Sequence, residues 1–525
     1  MKRVVISLFI VLVVLSFSFA QKTGTRDPYE GEPCVYVSPN GSDENPGTKA
    51  LPFKTIEVAI DKGVIFGVNV IKVAEGVYTP GKGLNTGFSG VAIKHHNIKL
   101  IGGYNQDFTA ITGYSILNGE RKVQAIIEVR GATNALVENF IVTGATNREK
   151  NDKNGGGVYL NKSSFSTLRN IISSNNMVGN GAGICIIGDS NKIVDIRVLN
   201  NFGENGSGGY IVGNYNEISS SIFQSNVAGI WGGGLLLGGI SNVVKNSQFL
   251  NNSSREGGGI YIDKGIGNQI LDSQIKNNSS QNSGGGIFVN VGAGNIIKST
   301  VEQNSSRDGG GIYGFKTTSL QIESTISENT ATRNGGGIFL ESTYKNIVNS
   351  TISKNTAQAN GGGVFLRGEE NSILGTIIDN KASQNAGGIY ITGFKNTITS
   401  RIQNNTSQSN GGGVFVELSR NTIIENSEIS GNTAENIGGG IYSLKDIDPL
   451  INNTKIVNNT SKLHGGGIAI FDSTNSSLFN LDITQNKAET TNSIVYLYKT
   501  EGIINLIISN CTISSKTGEK GIGIY

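Results

Sequence analysis

Gly335-Gly336-Gly337-Ile338-Phe339-Leu340, with Ile352-Ser353-Lys354-Asn355 shortly after it, is a phrase that recurs along most of the chain. The glycine part returns as Gly257-Gly258-Gly259-Ile260-Tyr261-Ile262 and as Gly411-Gly412-Gly413-Val414-Phe415-Val416. Its last glycine falls at 157, 183, 209, 234, 259, 286, 311, 337, 363, 388, 413, 440 and 467, with a degenerate copy at Ser493. Steps of 25 to 27 residues over thirteen copies define a solenoid, in which each unit touches only its neighbours.

A second phrase keeps the same phase: an apolar residue, two others, then Asn. It pairs Ile172 with Asn175, Phe223 with Asn226, Ile326 with Asn329, Ile352 with Asn355, Ile402 with Asn405 and Ile483 with Asn486. The same column holds Asn201, Asn252, Asn278, Asn304, Asn380, Asn432 and Asn459. A looser third phrase sets Asn before an apolar residue, as in Asn216-Glu217-Ile218 and Asn396-Thr397-Ile398. Nothing here has helical period, and Val, Ile and Thr suit strands. Three short strands per turn of about 26 residues predict an all-β parallel β-helix. Coils then stack about 4.8 Å apart, and fourteen of them span roughly 65 Å. Glycine marks a corner that a Cβ would obstruct. A repeated Asn suits a left-handed turn and can bond its copy on the next coil, so this column is read as a structural ladder.

The chain divides into a secretory signal peptide (1–20), a strand, turn and helix cap (21–67), irregular early coils (68–150) and regular repeats (151–525). Lys2 and Arg3 precede the apolar run Val4 to Leu15, and Ser18-Phe19-Ala20 offers small residues for cleavage, which is the pattern of export. No other run approaches membrane-spanning length, so no transmembrane segment is expected after signal removal, and the place expected is extracellular or cell surface. Pro52 to Lys62 reads as an amphipathic helix ending at Gly63, laid over an open coil edge. The formal charge of +3 falls to +1 without Lys2 and Arg3, and charged residues are only 16% of the chain, which argues against nucleic acid as a partner. Cys34, Cys185 and Cys511 are odd in number and far apart, giving no disulfide framework and no metal spacing. His95 and His96 are neighbours on an expected strand and so face opposite sides, a poor arrangement for metal.

Two surfaces are candidates for binding. The middle position of the glycine-led strand is Tyr261, Phe288, Tyr313, Phe339, Phe365, Tyr390, Phe415 and Tyr442 in successive copies. If the flanking aliphatics point inward, these rings form an outward stripe for glycan rings or another protein. If they are the inward set, or covered by a loop, the stripe is core. Arg255, Arg307 and Arg333 precede the glycines and could touch an acidic glycan, or form a solvated edge. Among the acids, Asp263, Glu341 and Glu417 share a column three coils apart, and Asp446 and Asp448 lie in one longer turn, read as solvated. No catalytic set emerges from them.

Tyr36-Val37-Ser38-Pro39-Asn40-Gly41-Ser42-Asp43, Asn45-Pro46-Gly47-Thr48 and Pro52-Phe53-Lys54-Thr55-Ile56 resemble the N-terminal module of bacterial secreted right-handed β-helix (pectin-lyase-like) proteins. Leu100-Ile101-Gly102-Gly103-Tyr104, Asp107-Phe108 and Ile116-Leu117-Asn118-Gly119 resemble the early coils of polymorphic-outer-membrane-protein-like chains, whose repeat pairs Gly-Gly-x-Ile with Phe-x-x-Asn. The resemblance implies a right-handed helix over nearly the whole mature chain. Those outer-membrane proteins end in a membrane barrel, whereas this sequence stops in a coil at Tyr525, so autotransport is not expected. The expectation is a secreted binding or adhesion rod for a polysaccharide or a surface protein, with no cofactor. The alternative is a polysaccharide lyase or glycoside hydrolase, and calcium enters only with a lyase.

Overall fold

A computed structural model describes residues 25–147, 152–491, 493–498, 507–514 and 520–524. The expected signal segment, residues 1–20, lies outside them. The chain winds into a parallel β-helix with three sheets of 17, 31 and 12 strands. One coil shows the plan. Ile338–Tyr344 belongs to the first sheet, Ile347–Ser353 to the second and Thr356–Ala357 to the third. Each strand pairs in parallel with its copy one coil on, as Phe339 does with Phe365 and Ile352 with Ile377. Inward side chains such as Ile338, Leu340, Val348 and Ile352 form one continuous aliphatic core.

Asparagine ties the coils together where the second sheet turns into the third. Each Nδ2 donates to the Oδ1 of the next coil at 2.9–3.1 Å, from Asn176 and Asn201 through Asn329 and Asn355 to Asn486. Asn226, Asn252, Asn278, Asn304, Asn380, Asn405, Asn432 and Asn459 stand in the same buried row. The expected position Asn175 is corrected to Asn176. Asn175 is exposed at φ +55°, while Asn176 is fully buried. The cause is Ser173, which pairs with the inward Val198; counting from the apolar Ile172 therefore lands one residue short. A second buried row, Asn191, Asn216, Asn242 and Asn268, repeats the device between the first and second sheets.

At the N-terminal end, Cys34–Val37 pairs with Val70–Ala74, and Ile56–Ile65 is the α-helix. Ile56, Ala59 and Ile60 are fully buried in the core cluster with Val35 and Ile71. The helix starts later than expected because the Asp43 carboxylate accepts from the N–H groups of Lys54 and Thr55, at 3.1 and 2.9 Å. It runs past Gly63, whose missing Cβ lets it lie close to the Val68 carbonyl. No helix among the described residues is long and apolar enough to cross a membrane.

Asp446 departs from the expected solvated turn: its residue is 1% exposed. It accepts from the Ser419 N–H at 2.9 Å and from the Ser443 hydroxyl. Burial pushes its pKa up to about 7, the hydrogen bonds from Ser443 and Ser419 oppose the rise, and the charge of Glu417 adds to it. A folded value above the unfolded one makes this contribution complete below about pH 4. It is lost as pH rises toward 7, by roughly 3–4 kcal/mol. Asp446→Asn, which copies the protonated form, is expected to flatten that slope and raise the unfolding midpoint at pH 7.5. Urea denaturation across pH 4–8 checks it, and an unchanged slope would contradict the assignment.

Candidate functional site: a groove along the second sheet

The aromatic column comes first, because the sequence points to it. The aliphatics on either side do face inward, and the rings of Tyr261, Phe288, Tyr313, Phe339, Phe365, Tyr390, Phe415 and Tyr442 form a cluster of their own outside the core. They are not an open stripe. Each is only 2–8% exposed, and ring centroids stack 4.5–5.2 Å apart from Tyr261 to Tyr442. The turn before the glycines lies over them: Gly335, at φ +66°, sits so close that an added Cβ would come within 2.8 Å of the Phe339 Cβ. The expectation of a glycan platform here is therefore corrected. The tyrosine hydroxyls are engaged too, Tyr313 with the Glu341 carboxylate and Tyr390 with that of Glu417. Desolvation by burial raises both phenol pKa values.

The arginine column is only partly available. Arg333 Nε donates to Asp308 Oδ1 at 2.8 Å, and Asp308 is buried, so that cation is already neutralised. Arg307 lies one coil away, its carbonyl accepting from the Arg333 N–H. Arg255 and Arg307 are exposed, with the coil of Asn282 between them. Asp263 is bonded by Asn290 at 3.0 Å. His95 and His96 lie in a turn after the strand Gly87–Ile93 rather than on it.

The surface that stands out is concave and polar, where the second sheet bends in mid-strand. In the earlier coils the bend is made by residues in the left-handed region, namely Asn139, Asn170, Asp195, Ser220, Asn246 and Asp272 at φ +45° to +64°. In the central coils that residue is absent, and Ile296–Glu302, Ile347–Ser353 and Ser372–Ile378 run unbroken. The floor there is a column of inward serines, Ser247, Ser273, Ser299, Ser324 and Ser350, joined by N–H to Oγ bonds of 3.0–3.2 Å. One rim carries Thr300, Thr325, Thr351 and Thr376 in register. The facing rim carries Lys298, Glu323 and Asn349, with Asp272 on the preceding coil.

This hollow holds about 800 Å³. A second one, of about 440 Å³, continues it over the earlier coils between Glu138, Arg169, Asp195, Arg197 and Ser220. Together they run roughly 40 Å at about 4.8 Å a coil. Asp272, Lys298 and Glu323 are exposed and are in no ion pair among the described residues. None of these residues was singled out from the sequence. The signal that could have found them is Ser299-Thr300-Val301, repeated as Ser324-Thr325-Ile326 and Ser350-Thr351-Ile352.

The stack and its three sheets define a right-handed parallel β-helix with three strands per coil. Residues 388–525 match the family described as "Right handed beta helix region", and residues 240–400 match "Periplasmic copper-binding protein (NosD)". The protein YwoF of Bacillus subtilis (strain 168) is 34% identical over 115 residues, 22% of each chain; the alignment thus spans about a fifth of that relative's length. Among solved structures, pectate lyase Pel9A is similar at 17% identity and TM-score 0.26, over 76% of this chain and 79% of its own. The GH136 lacto-N-biosidase of Eubacterium ramulus is similar at 9% identity and TM-score 0.30, over 70% and 64%. Likeness of that degree says nothing of activity. The stretch matching NosD contains no His, Cys or Met, the side chains that copper favours, and among the described residues no three His, Cys, Asp or Glu converge. That donor set does not fit copper.

Proposed function

We propose that this protein is an exported binding rod that holds a linear polysaccharide along the groove of the second sheet. The observation that carries the reading is the in-register row of threonine hydroxyls facing Lys298, Glu323 and Asn349 over consecutive coils. Threonine hydroxyls repeated at one spacing, faced by ammonium, carboxylate and amide groups on successive coils, suit a polymer that repeats its own hydroxyls. Many weak contacts then add up along its length. The buried ring column supports the core instead. Affinity electrophoresis in gels containing xylan, polygalacturonate or alginate tests the proposal. At least one polymer is expected to retard the protein, and Lys298→Ala combined with Thr325→Val is expected to weaken binding about tenfold, roughly 1.4 kcal/mol. Arg307→Ala, on another face, is expected to change nothing. Retardation abolished by Arg307→Ala and untouched by the groove variants would move the site to the arginine edge.

One observation favours a second reading. Asp272 and Glu323 lie in the same groove, two coils apart, with Lys298 between them. Two carboxylates spaced along a groove to flank one glycosidic bond are the minimum for its hydrolysis. Turnover of any of these polymers that is lost in both Asp272→Asn and Glu323→Gln would establish an enzyme.

A further inference from the structure

We propose that the groove is blind at its N-terminal end and takes the free end of a polysaccharide chain, with the last unit lodged between Tyr114, Asn170 and Arg197. The inference rests on the reading of the groove as a glycan site. The column of bend residues along it is exposed at Asp272, Asn246, Ser220 and Asp195, half-buried at Asn170, and only 1% exposed at Asn139. The groove is thus covered within two coils. The roof is Tyr114, whose hydroxyl donates to Asn170 Oδ1 at 2.8 Å, while Asn170 Nδ2 donates to Asn139 Oδ1.

A braced wall stands beside it. Arg169 donates to Glu138 at 2.6 Å and to the Tyr29 hydroxyl at 3.0 Å, and Tyr29 donates to Glu138 at 2.8 Å. A hydrogen-bonded wall of this kind does not part for a continuous chain without leaving buried polar groups unpaired. Arg197 is exposed and, among the described residues, in no ion pair, whereas the charge of Arg169 is met by Glu138. Tyr114, Asn170 and Arg197 line the same end of the smaller hollow, and the Arg197 charge opposes the rise that burial gives the Tyr114 phenol pKa. An end unit there meets the Arg197 guanidinium and the second N–H of the Asn170 amide as donors and the Tyr114 phenol oxygen as an acceptor.

The test uses the full secreted chain and length-fractionated oligomers of xylan, polygalacturonate and alginate. Sedimentation velocity gives the number of proteins bound per chain. One protein per chain is expected whatever the length, because a chain has one such end. A bulky dye coupled to one end is expected to lower affinity at least tenfold, and coupled to the other to leave it unchanged. Tyr114→Ala is expected to restore binding of the blocked chains, a gain that misfolding cannot produce. Occupancy that grows with length, together with equal binding of chains blocked at either end, would overturn the blind-end proposal while leaving the groove reading intact. Failure of all three unblocked polymers to bind would bring down the groove reading and this proposal with it.

Discussion

Gly336→Ala is expected to disrupt the stack although it adds only one methyl group. Gly336 has no left-handed backbone to excuse it; the constraint is space. A Cβ there would lie 2.4 Å from the Gly362 carbonyl oxygen and 2.6 Å from that of Thr356. Both atoms are backbone on the adjoining coil, so no rotamer change relieves the overlap. Relief requires the two coils to part, which breaks the ladder bonds on either side. A cost above about 4 kcal/mol follows, in the range reserved for severe core lesions. Whole domains are stable by only about 5–15 kcal/mol, so the variant is expected to be largely insoluble. Gly294→Ala is the control. Gly294 does sit at φ +60° but has nothing within 4 Å, so only the conformational penalty of about 1–2 kcal/mol applies. Solubility and urea midpoints of the two proteins decide it; equal midpoints would mean that the coils yield easily.

Asn329→Ala is expected to cost about 3–5 kcal/mol. Its amide bonds in both directions. Asn329 Nδ2 donates to the Val301 carbonyl at 2.9 Å and to Asn355 Oδ1 at 3.0 Å. Its Oδ1 accepts from both the backbone N–H and the Nδ2 of Asn304, each at 3.0 Å. Alanine leaves these partners buried, and each unpaired group costs about 1–3 kcal/mol. The sum is softened where a neighbour keeps a second bond. Asn175→Ala tests the corrected register: Asn175 is exposed and holds only a left-handed turn, so its loss is expected to cost less than about 1 kcal/mol. Comparable urea midpoints for the two variants would show that the ladder adds little.

The period, the three strands per coil, the glycine corner and most of the asparagine row can be read from the residues alone. All of these are local demands repeated often enough to be read. Gly337 repeats because every coil needs the same close approach to the coil beyond it, and Asn329 because every turn leaves the same backbone groups unpaired. Where one copy broke the pattern, as with Ser173 in an inward place, the reading slipped by a residue to Asn175.

Tertiary structure decided the rest. Alternation along Ile338-Phe339-Leu340 says that the ring leaves the core. It cannot say that the turn at Gly335, at φ +66°, folds back over the ring four residues on, because alternation carries no record of the path of the turn. The buried state of Asp446 was hidden because its partners Ser419 and Ser473 belong to the coils before and after it. The groove shows the limit most plainly. Ser299-Thr300-Val301 was legible as a repeated phrase. Its concavity belongs to the stack, because the two rims at Thr300 and Lys298 run along several coils that only the register of the sheet brings together.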